Sequence, residues 1–133
     1  MTAARWATGR LPVVLAIILM LVHNADEAFG HPEPGGWTNL AMVAVIGAVV
    51  VAVLPRLSWI WRAVVLGLVG LDAAAQGVGG HVVKVIDGTA TPLDRSGILF
   101  VAGGLILIAL AVAAVMSRPS AARATHGQVR RGR

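Results

Sequence analysis

Polar and apolar positions along this chain segregate into four long apolar runs joined by short polar links. Gly97 to Met116 is the cleanest run, twenty residues with no charge and no strongly polar side chain. As a helix it rises about 30 Å, one hydrocarbon thickness. Trp37 to Leu54 is a second run and stops at Pro55. Ala63 to Gly80 is a third, interrupted by Asp72 and Gln76. The first is Leu11 to Val22, extended to Gly30 when His23-Asn24-Ala25-Asp26-Glu27 belongs to the same helix. This pattern predicts an all-α integral membrane protein, a four-transmembrane-helix up-down bundle with spans at about 11–30, 37–54, 60–82 and 96–117. Short links predict that consecutive spans are antiparallel neighbours. Small residues four apart (Gly70/Ala74, Ala73/Gly77, Ala75/Gly79) predict close helix seams on the third span.

Composition points the same way. Of 133 residues, 57% are hydrophobic and 13% charged, with a mean hydropathy of +0.81. A soluble domain carries about 25% charged residues, so this chain cannot clothe a water-facing surface. The absence of cysteine excludes disulfides and thiolate metal sites. Ten Arg and one Lys give a net charge of +5. Arg5, Arg10, Arg56, Arg62 and five tail arginines fall on one side of the four spans, Lys84 and Arg95 on the other. The positive-inside rule then sets both termini in the cytoplasm of a bacterial inner (plasma) membrane. Trp6, Trp59 and Trp61 fall at the inner interface, Phe29 and Trp37 at the outer.

Residues 1–10 form a basic cytoplasmic N-terminus, 11–117 the membrane domain, and 118–133 a basic tail expected to be disordered. Arg118, Arg123, Arg130, Arg131 and Arg133 are expected to contact anionic lipid at the cytoplasmic face. The tail has no interleaved aromatics, so nucleic acid is not an expected partner. Arg5 and Arg10 before a short apolar core also match a secretory signal peptide. Asp26, Glu27 and Phe29, however, make a poor small-residue cleavage site.

The orientation assigns depth to the polar residues. His23, Asp26, Glu27, Asp72, Gln76 and His81 occupy the middle or outer half of the membrane, while the inner half is almost purely apolar. This predicts an outward-facing polar pocket. His23 shares a helix face with Asp26 (i,i+3) and Glu27 (i,i+4), and Asp72 shares one with Gln76. His81 is out of phase with Asp72 on an ideal helix, and Gly79-Gly80 can kink the chain and re-aim it.

Several functions fit these residues. Imidazole and carboxylate suit a divalent metal such as Zn, Mn or Fe, with His23 and Glu27, and Asp26 as a further candidate, from one span and Asp72 or His81 from another. His23 and Asp72 alternatively form a proton relay or a simple acid/base pair. A pocket for a small amphipathic ligand or lipid headgroup is a third reading. A fourth makes these residues ties between helices, Asp26 pairing with Lys84 and Asp72 finding a partner inside the bundle. Asp94 is expected to N-cap the fourth span, and Thr38 or Asn39 the second. His31 is expected in a solvated loop. No HExxH, G-x-S-x-G or phosphate-binding glycine loop is present. With no complete catalytic constellation, the sequence favours a non-enzymatic membrane scaffold or partner-binding module, alone or as a homo-oligomer. The outward polar pocket, with or without acid/base catalysis, is the alternative.

His23-Asn-Ala-Asp-Glu-Ala-Phe29, the Pro-Glu-Pro-Gly turn, Leu54-Pro55-Arg56-Leu57, Gly79-Gly80-His81-Val82 and Leu93-Asp94-Arg95-Ser96-Gly97-Ile98-Leu99 occur in that order. In this it resembles the four-helix membrane unit that precedes an α/β-hydrolase domain in some actinobacterial proteins. The resemblance covers Leu11 to about Arg118 and implies fold and topology only. The hydrolase is absent, so no hydrolase activity is carried over. The His-x-x-Asp-Glu run is also similar to the HxxEE motif of a family of small membrane proteins, with Asp in place of the first Glu and without that family's other motifs.

Overall fold

A computed structural model describes residues 3–32 and 34–117, with side chains from Arg10 onward. The tail arginines Arg118, Arg123, Arg130, Arg131 and Arg133, and the side chains of Arg5 and Trp6, lie outside the described residues. Every regular element among the described residues is helical. Four helical stretches are long and apolar enough to cross a membrane: Arg10–Gly30, Gly36–Arg56, Trp59–Ile86 and Pro92–Met116.

Helix α1 (Ala3–Ala25) passes without a break into a π turn, Asp26–Gly30. The next, α2 (Gly36–Val53), starts behind Gly35, whose φ of 89° is left-handed and natural to glycine. That backbone turn makes the start, and no side chain caps it. Thr38 and Asn39 therefore do not serve as the expected cap. A 3₁₀ turn, Leu54–Arg56, ends α2. Arg62 holds the following link by donating to the carbonyls of Leu57 (2.9 Å) and Pro55 (3.0 Å).

Helix α3 (Trp59–Gly77) runs into a second π turn, Val78–Val82, and on into α4 (Val83–Ile86). The glycine pair at 79–80 thus bends the register without ending the span, which extends past the expected 82 to 86. Helix α5 (Pro92–Met116) opens on a capping box. The cap is Thr91, whose hydroxyl accepts from the Asp94 amide (3.3 Å), while Asp94 accepts from the Thr91 amide (2.8 Å). Asp94 is therefore the third helical residue and not the expected cap. Pro at the first helical position, where no amide is needed, moves the start back to Thr91.

Helix directions follow from which residues meet. Gly47 of α2 lies against Ile17 of α1, and Gly36 against the Glu27 backbone, so α1 and α2 are antiparallel. Gly103 of α5 lies against Ala16 and Met20 of α1, while Ser96 meets His23. Gly70 and Gly77 of α3 face Gly104 and Val101 of α5. The up-down order holds, but one expected neighbour pair does not form. Despite their short link, α2 and α3 barely touch, and the packing order is α3, α5, α1, α2.

Glycine explains that order. A Cβ on Gly70 would stand 2.7 Å from the Gly104 carbonyl oxygen, and one on Gly104 would stand 2.7 Å from that of Gly70. Backbones approach this closely only where no side chain intervenes. Gly103, on the other side of α5, gives α1 the same access. Helix α5 therefore takes the centre. The seams expected at Gly70/Ala74 and Ala73/Gly77 face α5, whereas Ala75 and Gly79 are exposed and Gly79 meets no neighbour. Val13, Ala16, Met20, Leu66, Phe100 and Leu107 are among the buried core residues. Large apolar side chains such as Leu15, Val45, Leu68 and Leu105 face outward from all four long helices.

Candidate metal centre

Three helical segments converge at the end of the bundle that carries the α1–α2 and α4–α5 links. His23, in the last turn of α1, is 3% exposed. Its Nε2 lies 3.1 Å from Nε2 of His81, and the two rings meet edge to face with centroids 4.6 Å apart. Glu27, one turn on, stands with its Oε1 3.4 Å from the same His23 Nε2. Ligand atoms of His23, Glu27 and His81 all lie within 4.8 Å of one another.

The π turns and one glycine make this meeting possible. A π turn inserts a residue into the helical register and is frequent at functional sites. The turn at Val78–Val82 rotates His81 toward α1 and α5, and the one at Asp26–Gly30 follows directly on the His23 turn. Gly97 supplies the room, because a Cβ there would collide with the His81 ring.

Each imidazole has its other nitrogen fixed. His81 Nδ1 lies 3.1 Å from Asp94 Oδ1. That carboxylate is buried and also accepts from Lys84 Nζ (3.0 Å), the Thr91 amide (2.8 Å) and the Thr91 hydroxyl (2.7 Å). A carboxylate collecting donors fixes the proton of His81 on Nδ1. His23 Nδ1 lies 3.0 Å from Ser96 Oγ, and Ser96 reaches Asp26 Oδ2 at 2.7 Å. The Ser96 hydroxyl also lies 2.8 Å from the Leu93 carbonyl, and with its proton given to either oxygen acceptor its own oxygen accepts from His23 Nδ1–H. In these tautomers both Nε2 atoms present lone pairs beside the Glu27 carboxylate, whereas a proton on either Nε2 makes the 3.1 Å contact a hydrogen bond. Such a convergence has the donor types to hold a cation between the three groups.

Donor atoms each about 2.0–2.1 Å from a tetrahedral zinc are roughly 3.3 Å apart; the His23–His81 nitrogens are 3.1 Å apart, the His23 nitrogen and Glu27 oxygen 3.4 Å, and all three donors lie within 4.8 Å of one another. Two imidazoles and one carboxylate are a donor set used by zinc with an open fourth position. The Asp94–His81 pair and the Asp26–Ser96–His23 chain are the outer partners that ordinarily orient such ligands.

The sequence-derived candidates are distributed unevenly. His23, Glu27 and His81 form the cluster. Asp26 serves one layer out, bonded to Ser96 and, at 3.0 Å, to His31. His31 is thus an exposed but partnered loop residue. Lys84 pairs with Asp94 where Asp26 was the expected partner. Asp72 is exposed and bonds Gln76 of its own helix at 2.8 Å, with no hydrogen bond to His23. Its partner comes from the same helix because α2 does not close over that face. Asp94 and Ser96 are the residues that sequence reading underrated. Their place at the head of α5, level with His23, was the available signal.

A cavity of about 190 Å³ opens beside the cluster. His23, Glu27, His81, Asn39, Asp72 and Gln76 give it a polar portion, while Met20, Met42, Val43, Ile46, Val50 and Leu107 are among its apolar lining. Asn39 donates to Glu27 Oε2 at 3.4 Å. No family model, curated protein or solved structure matches this chain.

Proposed function

We propose that this chain is a four-span inner-membrane protein, with both termini cytoplasmic, whose outer half binds a divalent transition metal on His23, Glu27 and His81. One observation carries the reading: the buried His23 imidazole, the partly buried His81 imidazole and the Glu27 carboxylate converge, and each imidazole has its far nitrogen held by a carboxylate, directly or through Ser96. Four helices of spanning length and the uneven distribution of arginine support the membrane and the orientation. Anionic lipid at the cytoplasmic face is the natural partner of the basic tail. Three protein donors leave one coordination position for a ligand, which makes this a binding centre.

Metal analysis of protein purified in detergent, without added chelator, tests it. Stoichiometric metal is expected in the native sequence and is expected to be lost in His23→Ala and His81→Ala variants that remain folded. Metal-free native protein that also fails to take up added Zn²⁺ would remove the proposal. A second reading treats the same network as a fastener in a membrane scaffold. It is favoured by the finding that, among the described residues, no buried side-chain nitrogen or oxygen lacks a hydrogen-bond partner. Under it, the His81→Ala variant loses stability and the native protein holds no metal.

A further inference from the structure

The cavity beside the cluster is open where α2 and α3 fail to pack. Residues on both sides of that gap line it: Met42, Ile46 and Val50 from α2, and Val69, Asp72 and Gln76 from α3. Its remaining walls come from α1 and α5, including Met20, Phe100 and Leu107. In a four-span protein of this topology the gap faces hydrocarbon, so the molecules at its mouth are lipid chains.

Depth orders the lining. Ser96 and His81 meet His23 near one end of the spans, while Gly103 meets Ala16 and Met20 deeper in. Below His23 lie Met20 and Ile17 on α1, Val43, Ile46 and Val50 on α2, and Leu107 on α5. The cavity is therefore polar at the cluster and mostly apolar toward mid-membrane, where Asp72, bonded to Gln76 of its own helix, is the polar exception on the α3 wall. An apolar cavity of 150 Å³ holds a benzene-sized group, so about 190 Å³ takes a chain segment of several carbons. Asn39 and Gln76, both in the lining, carry amides beside the head position.

Resting on the metal reading above, we infer that the centre receives a single-chain amphiphile from the bilayer: an oxygen-bearing head, carboxylate or carbonyl, on the open metal position and an acyl tail in the cavity below. Entry is lateral, between α2 and α3. All three donor residues line the cavity, so a ligand seated there reaches the metal directly. The apolar lining grips the tail and the metal grips the head, which selects amphiphiles over both free anions and plain hydrocarbon.

The test uses the full chain in lipid nanodiscs, loaded with Co²⁺ so that the metal's visible absorption reports its ligands. Acetohydroxamate and octanohydroxamate are titrated as head-only and head-plus-tail probes. Burial of several methylenes predicts that the longer probe binds more than about tenfold tighter. Partition into lipid also favours the longer probe, so the deciding variant is Ile46→Trp, which fills the tail region at a partly exposed position remote from the donors. It is expected to abolish the advantage of the longer probe while leaving acetohydroxamate binding unchanged. If Ile46→Trp loses the cobalt spectrum, Met42→Trp, half exposed on the same helix, replaces it. Equal tail advantage in native and Trp variants overturns this inference and leaves the metal centre intact. No cobalt spectrum in the native protein overturns both.

Discussion

Asp94→Ala separates the metal account from a structural one, because Asp94 does two jobs with different oxygens. Oδ2 closes the α5 capping box through the Thr91 amide and hydroxyl, and Oδ1 takes His81 Nδ1 and Lys84 Nζ. Loss of the cap costs about 1 kcal/mol. Loss of a charge-assisted bond to the partly buried His81 imidazole costs about 1.5–3 kcal/mol. The Lys84 pair adds little, since that side chain is 53% exposed and finds water. The bundle is therefore expected to lose roughly 2.5–4 kcal/mol, read as a lowered unfolding midpoint in detergent. The metal is expected to weaken as well, by about 10–100-fold, because His81 is no longer held on one tautomer and in one orientation. Thr91→Ala is the control: it breaks the capping box and leaves Asp94–His81 in place. Its stability loss is about 1 kcal/mol, with metal affinity unchanged in chelator competition. Equal metal affinity in the two folded variants would refute the claim that Asp94 orients a metal-binding imidazole.

Three further outcomes follow from the same geometry. Asp72→Asn is expected to keep the metal, since Asp72 bonds Gln76 and lies outside the cluster; metal analysis checks this against Glu27→Gln, which is expected to bind weakly. Gly104→Val presses a side chain into the Gly70 carbonyl and is expected to cost about 1–3 kcal/mol by overpacking, whereas Gly67→Ala, with 3.8 Å to its nearest neighbour, is expected to be neutral in the same thermal assay. Because the chain lacks cysteine, single cysteines report topology cleanly: Thr89→Cys is expected to react with an impermeant maleimide on intact cells, and Ser58→Cys only after permeabilisation.

The four long apolar helices were legible because uncharged runs as long as Gly97 to Met116 match the length that crosses a hydrocarbon layer. His23 and Glu27 were legible as a pair from helical spacing alone. His81 was harder. An ideal helix turns it away from the site, and only the π turn at Val78–Val82 brings it in. Gly79-Gly80 signalled a bend but not its direction. Asp72 misled for a different reason. A mid-span carboxylate suggests an interior partner, and that inference holds only if α2 closes against α3. Helix neighbours are chosen by glycine contacts, and Gly70, Gly103 and Gly104 place α5 between α1 and α3. Link length carries no information about that choice. Asp94 looked like a simple cap because Thr91 and Pro92, which set the true helix start, lie just before the apolar run.

X-ray absorption at the metal edge of the Zn²⁺-loaded protein tests the central claim most directly. The expected spectrum has a first shell of nitrogen and oxygen near 2.0–2.1 Å, with the outer-shell scattering of two imidazoles, and folded His81→Ala is expected to retain no protein-bound zinc that gives it. A shell of oxygen alone, or an imidazole signal that survives unchanged in His81→Ala, would contradict it.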